Sequence, residues 1–165
     1  MSLGIHIQVR SGGTLRLLNR VADGVSRIES YTARRVASKA LGLVRDRTAK
    51  GLDAKEKPFE AYSASHKRAR AALGLSSTPD LRLSGRMRSG LRAHVRGRGN
   101  QKYAALRFNS ARGGRVADYH NEGRGNNPVR EFLGFYRGTR SHRALVKEAK
   151  NAVRAQIKNY ILRRR

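Results

Sequence analysis

Apolar and polar positions change rhythm several times along the chain. Ile5, Ile7 and Val9 alternate with His6, Gln8 and Arg10, the period-two pattern of a half-buried strand, and Ser11-Gly12-Gly13 ends it. From Thr14, a candidate cap, apolar positions recur every three or four residues. Leu18, Val21, Val25, Ile28, Thr32, Val36, Ala40 and Leu43 then line one face of a long helix that reaches Lys50 and is closed by Gly51. Lys57-Pro58-Phe59 belongs to an extended loop, because proline disfavours helix in the residue before it. Ser63 or Ser65 then caps a short helix through Leu73, closed by Gly74.

Period two returns where Leu91, Ala93 and Val95 alternate with Arg92, His94 and Arg96, and again where Ala104, Leu106 and Phe108 alternate with Ala105 and Arg107. Gly97-Arg98-Gly99-Asn100 between them is a turn, so the two runs form a hairpin. Arg112-Gly113-Gly114-Arg115 reads as a second turn and Val116 to Tyr119 as a further short strand. The stretch from His120 to Arg140, rich in Gly, Asn and Arg, is a loop pinned by Phe132, Leu133, Phe135 and Tyr136. A C-terminal helix follows, with Leu145, Ala149, Val153, Ile157 and Tyr160 on one face. The prediction is one α+β domain over residues 1–165, with extended loops near 51–63, 76–90 and 120–141. Its sheet is small and antiparallel, of three to four strands including the hairpin, packed on the long N-terminal helix and the C-terminal helix.

Charge changes what this domain is expected to need. Against 37 Lys and Arg stand 11 Asp and Glu, a net charge of +26. Repulsion on that scale opposes compaction, so an anionic partner or a charge-sharing assembly is expected to stabilise the folded form. Lys147, Lys150, Arg154 and Lys158 follow the polar side of the last helix and Arg163, Arg164 and Arg165 end it, which makes a basic contact surface for acidic neighbours. The chain has no Cys, which excludes disulfides, thiolate metal sites and thiol catalysis. The N-terminus lacks the apolar centre of a signal peptide, and no apolar run approaches the roughly 18 residues that span a bilayer. A soluble protein made in the cytoplasm, with no membrane partner, is expected.

Asp118, His120 and Glu122 lie within five residues of one another and invite a metal or nuclease reading. His120-Asn121-Glu122-Gly123 has no second His at i+4 and no downstream ligand spacing, so a turn built on Asn121 and Gly123 accounts for it better. No G-x-S-x-G elbow and no GK[ST] phosphate loop is present. Arg96 to Arg98 beside Tyr103 and Phe108 would suit phosphates and stacked bases, yet the charges are spread through every segment rather than gathered in one motif. No enzyme activity, cofactor or metal is expected.

Three groups of residues, in order, carry a resemblance. The first is Lys57-Pro58-Phe59, Tyr62-Ser63, Lys67 and Gly74; the second is Asp80-Leu81-Arg82-Leu83-Ser84-Gly85-Arg86-Met87. The third is Ala117, Tyr119, His120, Asn121 and Gly123, followed by Pro128, Arg130, Phe132, Leu133 and Gly134. Together they resemble the phage virion-morphogenesis and tail-completion family, small head-to-tail proteins of long-tailed phages and prophages. Glu56 stands where that family often has Gly before Lys-Pro, and this chain is more basic than the family generally is.

The resemblance implies a non-enzymatic virion component at the head-to-tail junction. It implies a homo-oligomeric ring, sixfold or twelvefold, touching adaptor, portal or tail-terminator and tail-tube proteins, with non-specific contact to packaged DNA as a further expectation. Such a subunit belongs to the neck or tail of the virion, and to the host cytoplasm during assembly. Tyr119, His120, Asn121, Gly123, Pro128, Arg130 and Phe132 are expected to build an assembly loop. In it Pro128 fixes the entry, Phe132 and Leu133 bury against the sheet, and Arg130 beside Glu131 pins the loop by a charge-assisted bond. The alternative is a free nucleic-acid-binding basic protein of the nucleoid or ribosomal type.

Overall fold

The computed structural model describes residues 12–82, 85–97, 102–125 and 127–162. The expected strand at Ile5 to Val9, the centre of the hairpin turn, and Arg163, Arg164 and Arg165 lie outside the described residues. The elements in order are α1 (Gly12–Ala49), α2 (Ala64–Ala72), α3 (Arg86–Gly90), β1 (Leu91–Arg96), β2 (Tyr103–Phe108), α4 (Ala111–Glu122) and α5 (Arg140–Leu162). The fold is α+β. Among the described residues no helix is long and apolar enough to cross a membrane.

α1 starts at Gly12, so Thr14 sits in its first turn rather than capping it. The closing glycine is where the sequence puts it: Gly51 is left-handed at φ 73° and the Leu52 N–H returns to the Arg47 carbonyl at 3.0 Å. The most buried stripe of α1 is Ala33, Ala37, Ala40 and Val44, while Ile28, Thr32, Val36 and Leu43 are half-buried. The helix is covered on two sides, by α5 and by the hairpin, so its apolar band is wider than a single stripe. α5 runs antiparallel to it: Arg35 meets Glu148 at 2.7 Å, and the Tyr160 ring lies over Gly24, where an added Cβ would be 3.3 Å from the ring. Ala152 is the buried apolar residue of α5 among its described side chains, and Ile157 stays 46% exposed.

The sheet has two strands among the described residues, not three to four. β1 and β2 pair antiparallel from Leu91↔Phe108 to Arg96↔Tyr103, with Leu91, Ala93 and Val95 turned inward as their alternation predicts. The expected turn at Arg112 to Arg115 and strand at Val116 to Tyr119 are instead one helix, α4. Ser110 caps it by accepting from the Gly113 N–H at 3.1 Å, and the two glycines fall in the first turn, where their low helix propensity costs least. Ala117, fully buried, then fixes the helix against the core. The expected loop near 76–90 likewise ends in α3, and the one near 120–141 begins only after Gly123.

Candidate functional site

The three groups of residues that carry the resemblance meet in one place. Phe59 from the first, Leu81 and Met87 from the second, and Ala117 and Phe132 from the third form a single buried cluster with Val44 and Leu91. Thirteen apolar side chains are buried among the described residues and six of them are alanine, so this cluster holds most of the bulky apolar volume. α1, the hairpin and the loops enclose it, and the backbone groups of the loops must find partners outside the sheet.

The C-terminus of α4 supplies some of them. Tyr119, His120 and Asn121 are helical, which corrects the expectation of a loop or turn at these positions. Gly123 is the left-handed cap at φ 68°, its N–H returning to the Tyr119 carbonyl. A Cβ there would stand 2.6 Å from Val129 Cγ2 and 3.3 Å from the Asn127 carbonyl oxygen, so glycine is required twice over, by backbone angle and by space. Arg130 N–H donates to the His120 carbonyl at 2.7 Å. Asn121 Oδ1 accepts from the Phe132 and Leu133 N–H groups at 3.1 and 3.0 Å. The helix end and the Pro-led segment after it therefore form one clamp; Pro128 is half-buried in it and Tyr119 stays exposed.

Buried arginines supply the rest. Arg130, 4% exposed, donates to the carbonyls of Glu60 and Ala61 and makes no bond to Glu131, contrary to expectation. Glu131 accepts instead from the Tyr136 hydroxyl at 2.8 Å, which pushes the phenol pKa up. Arg70, 1% exposed, donates to the Ser76 and Arg82 carbonyls and pairs with Asp80 at 2.9 Å. Both guanidinium groups lie over the Tyr62 ring, at 4.9 and 5.0 Å from its centroid, and the Tyr62 hydroxyl accepts from the Leu81 N–H. These contacts hold Leu81 in the left-handed region at φ 54°, a conformation that costs a non-glycine residue about 1–2 kcal/mol. Arg47 completes the set: it donates to the Phe132 and Gly134 carbonyls at 2.6 and 2.9 Å, and burial lowers its pKa.

Glu56 sits at φ 64°, the region glycine favours, in the turn that leads into Lys57-Pro58. Its carboxylate accepts from the Arg140 and Ser141 N–H groups and from the Ser141 hydroxyl, so it caps α5 from 84 residues away in sequence. The Ser141 hydroxyl bond lowers the Glu56 pKa below its ordinary 4.5, against a smaller opposing effect of burial.

The candidate metal ligands do not converge. Glu122 turns to Arg124 at 2.6 Å, Asp118 is exposed, and among the described residues no group of three such side chains is gathered. His120 is half-buried, and its Nδ1 has no hydrogen-bond partner among the described residues. Burial first, then the charges of Arg130 and His66, lower its pKa below 6.5. The unfolded chain therefore binds the proton more readily, so the contribution of neutral His120 is complete above about pH 6.5 and is lost as pH falls through the lower folded value. Glu56 adds a second loss, below its ordinary 4.5. His120→Gln is expected to flatten the fall in melting temperature that sets in below about pH 6.5 while leaving the further fall below pH 4.5, as thermal melts across the acid range will show.

Lys147, Lys150, Arg154 and Lys158 are all exposed on α5, as their spacing predicts. Sequence reasoning missed Arg47 and Arg70, and named Tyr62 and Glu56 without giving either a structural role. An arginine in a run such as Lys67-Arg68-Ala69-Arg70 carries no mark of burial, since burial of Arg is rare. Glu56 did carry one, as a large side chain in place of glycine at a turn. Comparisons with protein-family models, with curated proteins and with solved structures return no match for this chain.

Proposed function

We propose that the chain is a structural subunit of a tailed-phage particle, a tail-completion or neck protein that forms a ring at the head-to-tail junction and has no catalytic role. The observation that carries this reading is the shared core: each of the three ordered groups of residues contributes to one cluster, so the resemblance rests on residues that fold together. Two polar residues of the third group, Asn121 and Arg130, tie loops together through backbone groups. A ring of such subunits repeats one heterologous contact until it closes.

Deleting the gene from the phage or prophage that encodes it is expected to leave heads and finished tails unjoined in electron micrographs of lysates. Intact infectious particles would sink the proposal. The second reading, a free nucleic-acid-binding basic protein, is favoured by the net charge of +26. It predicts a monomer whose only assembly is on nucleic acid and is lost steeply with salt.

A further inference from the structure

Five cations, Arg143, Lys147, Lys150, Arg154 and Lys158, recur at spacings of four, three, four and four along α5, and all five are exposed. They make a nearly straight stripe of about 22 Å at 1.5 Å per residue. A shallow groove follows its first part, lined by His142, Arg143, Val146, Lys147, Lys150 and Arg154. The helix has one acidic residue, Glu148, and it is turned away into the α1 seam, where it is paired with Arg35. Nothing on the helix itself offsets the stripe, and each like-charged pair one turn apart is destabilising by about 0.2–0.5 kcal/mol.

We infer that this stripe is a contact surface for the phosphates of duplex nucleic acid, made without reading sequence. Three features select that partner. Cations repeated at one helical turn match a continuous line of phosphates, and neutralising them releases counterions. Stacking on single-stranded bases needs a run of aromatic side chains; the one Phe, Tyr or Trp of α5, Tyr160, is packed against Gly24, and His142 in the groove is a single half-buried imidazole. Lysine supplies three of the five charges; it is depleted at protein–protein interfaces, yet serves phosphate well as a point charge. Placing the duplex inside a neck ring rests on the function proposed above; the binding itself does not.

The test is fluorescence anisotropy of a 30-base-pair duplex with the full chain across a salt series. The triple variant Lys147→Gln, Lys150→Gln, Arg154→Gln is compared with one of equal charge loss elsewhere, Lys67→Gln, Arg68→Gln, Arg107→Gln, all six positions being exposed. The α5 triple is expected to bind at least tenfold more weakly at 0.15 M salt and to reduce the slope of log K against log salt by about 2–3, while the control changes it by less than 1. Equal losses from the two triples would assign binding to net charge and overturn the inference. So would wild type that binds poly-L-glutamate more tightly than duplex of equal charge. Rings without duplex binding would defeat this inference alone, and duplex binding without rings would defeat only the neck function.

Discussion

Arg70→Met is expected to destabilise the protein by about 3–5 kcal/mol, the range for removing one partner of a buried ion pair. At roughly 2–4 °C per kcal/mol for a chain of this size, the melting temperature falls by about 6–20 °C. The loss is large because four things depend on one guanidinium. The carbonyls of Ser76 and Arg82 lose their donor, Asp80 loses its counter-charge, and the Tyr62 ring loses a cation. Leu81 also loses part of what keeps it left-handed. Arg70→Lys keeps the charge but not the planar fork, so it should recover less than half of the loss. Asp80→Asn, which retains an acceptor oxygen, should cost less than Arg70→Met. Thermal melts of the three variants check that order, and Arg70→Met melting as wild type would show that the buried arginine is not holding the loops.

Asn121→Ala is the second large effect. It leaves the Phe132 and Leu133 N–H groups without an acceptor, and an unsatisfied donor in a buried position costs about 1–3 kcal/mol. Together the two give a destabilisation of about 2–6 kcal/mol. Asn121→Asp presents an oxygen in the same place and is expected to lose less than about 1 kcal/mol, because a carboxylate accepts from both donors. Hydrogen exchange should show the change locally, with faster exchange at residues 130–134 in the alanine variant. Equal melting of the alanine and aspartate variants would mean that the carbonyl oxygen of Asn121 is not the latch.

These two effects also mark where sequence reasoning succeeded and failed. The hairpin was legible because Leu91, Ala93 and Val95 face one side, and a period of two leaves no other register for them. The long helices were legible from spacing, and Gly51, Ser63 and Gly74 were legible as their punctuation. α4 was not, since Gly113 and Gly114 argue for a turn, and what overrides them is the Ser110 cap together with the burial of Ala117. Asn121 stood out as important and was given the wrong job. A turn asparagine bonds its own neighbours; this one reaches 11 and 12 residues ahead. Of the buried arginines Arg130 was noticed but assigned the wrong partner, and Arg47 and Arg70 left no trace, because their acceptors are mostly backbone carbonyls, which every residue has.

The proposed assembly is tested most directly by native mass spectrometry of the full-length chain over a range of concentrations and ionic strengths. A neck subunit held by packed loops predicts one closed stoichiometry, sixfold or twelvefold, that persists at about 0.5 M salt, where purely electrostatic association is screened. A monomer at every concentration, alone and mixed with the adaptor and tail proteins of the same phage, would contradict it.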